Sequence, residues 1–65
     1  MTVDEVFKND EIQFILLRPG LGSPKGISIL KKFRMKPEDL DGYTFKGMWN
    51  NKPDMVEFIK ETKNV

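Results

Sequence analysis

The residues of this chain best placed to do chemistry lie in Arg18-Pro19-Gly20-Leu21-Gly22-Ser23-Pro24-Lys25-Gly26. Glycine permits positive φ and leaves the backbone bare, so Gly20 and Gly22 can turn successive N–H groups outward together. Ser23 followed by Pro24 reads as a helix start, with serine as the N-cap and proline at the first helical position. The first amides of such a helix face the same spot as the turn, an arrangement that attracts anions. Lys25 adds a charge-assisted contact there, and Lys31 and Lys32 continue the basic surface. The chemistry this stretch predicts is a grip on a phosphate oxygen by backbone donors and lysines.

Other chemistries find less support. The chain has no histidine and no cysteine, which removes the commonest general base, thiolate-bound zinc and any disulfide. Ser23 and Lys25 have the residue types of a serine–lysine nucleophile, but both are expected at a helix start, one as the cap and one solvated. Gly20 to Gly26 lacks the Gly-Lys-Ser/Thr ending of a nucleotide-binding loop, and 65 residues leave little room for the βαβ unit around it. Glu38, Asp39 and Asp41 are better read as a capping turn than as cation ligands. Tyr43, Phe45 and Trp49 have faces on which bases could stack, but a protein this small needs its aromatics in the core. The expectation is a non-enzymatic binding protein with no cofactor and no metal.

Pro19-Gly20, Leu21, Gly22, Gly26 and Ile29-Leu30 fall in an order that resembles the helix-hairpin-helix motif. That motif runs Pro-Gly, an aliphatic, Gly, three variable residues, a small residue, and an aliphatic pair after two more. The match covers residues 11–33. The resemblance implies that the phosphate-gripping turn maps onto Pro19, Gly20, Leu21, Gly22 and the amides of Ser23 to Lys25. It implies further that Leu21 plugs inward and that Gly26 lets two helices pack closely. The chain departs from the pattern at Arg18, where an aliphatic is usual. Its only echo of a second motif is Leu40-Asp41-Gly42-Tyr43-Thr44, which lacks the second glycine. The function implied is binding to the nucleic-acid phosphate backbone without sequence specificity, since phosphate contacts carry no base information.

The charge distribution agrees with that expectation. A net charge of +1 conceals −3 over residues 1–17, +6 over 18–36 with no acid, and −2 over 37–65. The basic block coincides with the glycine turn and the segment after it. The alternative is a small regulatory or inhibitory protein, of the kind viruses and mobile elements encode, that binds a host protein through its apolar and basic surface. With 38% apolar residues, 65 positions allow one small domain, 1–65, around one modest core. No apolar run approaches the roughly 20 residues of a membrane span. Met1-Thr2-Val3-Asp4-Glu5 lacks a signal peptide's basic and apolar regions, so a cytoplasmic location is expected.

The elements that must position these residues read mostly as helices. Thr2 and Glu5 have capping-box spacing ahead of Val3, Val6 and Phe7, predicting a helix over 3–8 that ends at Asn9-Asp10. Ile12, Phe14, Ile15, Leu16 and Leu17 fit a buried helix or a buried strand. The Asp10 cap and the Pro-Gly turn favour helix. After Ser23-Pro24, Ile27, Ile29, Leu30 and Phe33 share one side of a helical wheel, with Lys25, Ser28, Lys31 and Lys32 opposite. Ile27, Ile29, Phe33 and Met35 also fit strand alternation. Residues 43–49 fit either state. Asn51-Lys52-Pro53-Asp54 opens a last helix whose inner face is Met55, Val56, Phe58, Ile59 and Thr62. The predicted fold is a small all-α domain of three to five short helices around one helix-hairpin-helix unit. The runner-up is α+β, with 11–17, 27–34 and 43–49 as strands.

Overall fold

The computed structural model describes residues 1–20 and 26–60. Its first element follows the capping signals. Thr2 Oγ1 accepts the Glu5 N–H at 3.2 Å, and Glu5 Oε1 accepts the Thr2 N–H at 3.0 Å. This capping box opens helix α1, Val3–Lys8. Asn9 closes it, donating its N–H to the carbonyls of Glu5 and Val6.

From there the predicted all-α fold gives way to a four-stranded mixed sheet with one short helix. The strands are β1, Phe14–Arg18; β2, Ser28–Lys31; β3, Tyr43–Met48; and β4, Met55–Lys60. Their order across the sheet is β2-β1-β4-β3. The two central strands, β1 and β4, are parallel, and the outer strands pair with them antiparallel. Short 3-10 turns at Lys32–Arg34 and Pro37–Leu40 lie between β2 and β3, and one at Trp49–Asn51 between β3 and β4. The predicted helices over 11–17, after Ser23-Pro24 and after Asn51 are therefore corrected to β1, β2 and β4.

The physical reason is two-sided burial. A central strand hides both faces, so its apolar residues run on without alternation. In β4, Met55, Val56, Phe58 and Ile59 are all buried, and their i, i+1, i+3, i+4 spacing imitates a helix face. In β1, Ile15 and Leu16 are adjacent and both fully buried. A peptide buried on both sides needs its N–H and C=O groups satisfied sideways, and neighbouring strands supply that.

Register assigns the faces. Ile15 lies beside Val56, and Leu17 beside Phe58. Val6, Ile12, Ile15, Leu40, Val56 and Phe58 form the buried cluster, with Val3, Phe7, Leu17, Met35, Tyr43 and Phe45 packed around it. α1 and the Pro37–Leu40 turn thus cover this face. Phe45 meets Phe58 edge to face, with ring centres 5.5 Å apart. On the opposite face, Arg18 Nε donates to Glu57 Oε2 at 2.6 Å, an ion pair that lets a buried glutamate sit in a central strand. Gly47, at φ +143°, takes a register shift between Phe45 and Gly47 that a side chain would resist.

Candidate partner-binding edge

The basic, glycine-rich stretch singled out in the sequence links β1 to β2, so the two segments that the helix-hairpin-helix resemblance makes helical are neighbouring strands. Leu21, Gly22, Ser23 and Lys25 lie outside the described residues. Gly20 is described and does not adopt positive φ, and a Cβ added there would meet no described atom within 4 Å. The left-handed residue is Gly26, at φ +83°, where a Cβ would stand 3.0 Å from Pro19 Cγ. Its place is a turn before a strand, not the interior of a packed helix.

The two lysines expected to share one solvent face are separated. Lys32 is half-buried, and its Nζ donates to the Asn9 carbonyl at 2.6 Å and towards that of Val6 at 3.4 Å. It therefore caps the C-terminal end of α1, where a cation satisfies carbonyls left over by the helix. Lys31 is exposed at the end of β2, with Nζ 5.9 Å from the centre of the Phe33 ring. Arg34 lies 5.7 Å from that same ring. Of the six cations between residues 18 and 36, Arg18 and Lys32 are thus committed to the fold.

Apolar side chains dominate what remains at this edge. Ile27 is 37% exposed, Ile29 52%, Leu30 41% and Phe33 73%. Sequence patterning placed these four on a buried helix side. A shallow cleft of about 410 Å³ runs beside β2, lined by Leu17, Leu30, Met35, Lys31, Arg34 and Asp39 together with Ile29.

The backbone at this edge is equally open. The Lys32 N–H bonds the Gln13 carbonyl, and the Phe14 N–H bonds Asp54 on the far side. Antiparallel ladders alternate bonded and non-bonded pairs. With Lys31 opposite Phe14 and Ile29 opposite Leu16, the N–H and C=O groups of Ile29 and Lys31 point away from β1. Among the described residues, no strand lies beyond β2 to receive them.

The other candidate residues have structural places. Tyr43 and Phe45 pack on the core, and Trp49 is half-buried with Lys52 Nζ 5.7 Å from its ring. Asp39 accepts the Lys36 N–H at 2.9 Å, capping the Pro37–Leu40 turn. Among the described residues, no three acidic or otherwise ligating side chains gather as a metal site, and no helix is long and apolar enough to cross a membrane. No protein-family model matches the chain, and no curated protein or solved structure matches it significantly.

Proposed function

We propose that the protein is a non-enzymatic regulator that binds a protein partner by accepting an extended segment of that partner as an additional strand on β2. The observation that carries this reading is the open edge itself. Ser28, Ile29, Leu30 and Lys31 are all exposed, yet Ile29 and Leu30 are large and apolar, with outward N–H and C=O groups at Ile29 and Lys31. Edge strands that stay single usually carry charges, prolines or bulges, and β2 has only one terminal lysine. Strand addition uses both features, since main-chain bonds give affinity and alternate side chains give specificity. Binding through phosphates is less favoured, because Arg18 and Lys32 are engaged within the fold.

Proline at position 29 tests this reading. The Ile29 N–H faces outward, so Ile29→Pro removes a donor that the β1–β2 ladder does not use. The tagged chain should retain a specific protein from an extract of its source cells. Ile29→Pro should lose that protein while matching the wild type in circular dichroism and melting temperature. Ile29→Lys supplies a second edge block should the proline variant misfold. Retention by both folded variants would sink the proposal, as would failure of the wild type to retain any protein. Retention of nucleic acid, lost with Lys31→Gln and indifferent to Ile29→Pro, would restore the phosphate-contacting function.

A further inference from the structure

Building on the edge-strand reading, we infer that the segment β2 receives is acidic and alternating, with carboxylates beside Lys31 and apolar side chains beside Leu30. The two faces of β2 differ in chemistry. On one, Ile29 stands beside Leu16 and Lys31 beside Phe14; on the other, Leu30 stands beside Ile15. A strand added to β2 continues this alternation, because neighbouring strands place paired side chains on the same face. Its residues next to Leu30 meet Leu17, Leu30 and Met35 in the cleft, which Lys31, Arg34 and Asp39 also line. Apolar side chains suit the part of the cleft formed by Leu17, Leu30 and Met35.

Next to Lys31 the preference reverses. Residues 26–36 contain Lys31, Lys32, Arg34 and Lys36 and no acid. Lys32 is turned to α1, which leaves Lys31 and Arg34 flanking the exposed Phe33 ring at the end of the edge. The next acids in sequence are Glu38 and Asp39, and Asp39 caps the turn that follows by accepting the Lys36 N–H. A segment with carboxylates on the Lys31 side meets complementary potential, which sets the register of the pairing and rejects basic segments. The same charges disfavour a second copy of this chain as occupant. A second β2 strand from another copy brings no carboxylate to face Lys31, because residues 26–36 contain no acid.

The experiment titrates the full-length chain with labelled synthetic peptides and reads fluorescence anisotropy. One peptide alternates aspartate and valine, one lysine and valine, and one aspartate and serine; oligothymidylate is the fourth probe. The aspartate–valine peptide should bind about tenfold tighter than the lysine–valine peptide, from a few exposed charge pairs. Its affinity should fall as NaCl rises from about 0.05 to about 0.5 M. Lys31→Glu with Arg34→Glu should reverse the preference, and Ile29→Pro should abolish it. Weaker binding of the aspartate–serine peptide confirms that the cleft reads apolar side chains. Equal or better binding of lysine–valine, or of oligothymidylate, overturns the inference, as does a chain dimer that strengthens with salt and is lost in Ile29→Pro. If Ile29→Pro releases a captured protein but no peptide shows the acidic preference, only the chemistry assigned here fails. If neither effect appears, the edge reading fails with it.

Discussion

The Lys32 ammonium ties residue 32 to the end of a helix more than twenty positions away, at Val6 and Asn9. Lys32→Gln should therefore destabilise the protein by about 1–2 kcal/mol, the range of a charged hydrogen bond at a helix terminus. Lys31→Gln, on an exposed strand end, should change stability little, and chemical denaturation of the two variants separates them. Arg18 and Glu57 make a sharper test. Arg18→Met should cost on the order of 3 kcal/mol, because it leaves the Glu57 carboxylate buried without its partner. Adding Glu57→Met should recover most of that loss, since a buried ion pair replaced whole by apolar groups is often near neutral. Glycine effects should follow φ. Gly26→Ala should lower stability by about 1 kcal/mol. Gly20→Ala should be tolerated, because Gly20 does not take positive φ and an added Cβ would meet no described atom within 4 Å.

At the scale of elements, α1 carries a pH dependence. The Thr2 N–H bonded to Glu5 holds the Glu5 carboxyl below the ordinary glutamate range, with the Thr2 hydroxyl assisting. A carboxylate with a lowered folded-state pKa adds stability that is complete above its unfolded-state pKa. That contribution fades as pH falls through the lowered value. The melting temperature should drop across this acidic window, and Glu5→Gln should flatten the drop. α1 is also the element most legible in the sequence, because a capping box is a local signal that needs no knowledge of the rest of the chain. Tyr43 and Phe45 were legible as core for a similar reason, since few other large side chains were available to fill it. β1 and β4 were hidden because strands buried on both faces lose their alternation, and the apolar pairs in each imitate helical spacing. β2 showed its alternation at Ile27 and Ile29, but the proline and serine ahead of it read equally well as a helix start. At the candidate site, Lys31 was legible by charge alone. Leu30 was misplaced because its exposure depends on β2 being the last strand among the described residues, and Phe33 because it falls in the exposed Lys32–Arg34 turn.

For the whole molecule, far-ultraviolet circular dichroism should show a strand-dominated spectrum with a minor helical component. A predominantly helical spectrum would refute the sheet. Phe58→Ala should cost about 3–5 kcal/mol. That is comparable to the entire stability of a domain this size, so the variant should be unfolded at room temperature. The parallel pairing at the centre of the sheet has one more consequence. Residues 14–18 find their parallel partners only at 55–59, so the first strand made waits for the last. Until β4 is present, β1 has β2 as its one strand neighbour among the described residues, a hairpin too small to persist in water. A chain stopped at Asn51 should give a disordered spectrum and be degraded rapidly in cells. A cell making this chain therefore holds either the finished sheet or a bare hairpin with a sticky edge, and the arrival of β4 decides between them.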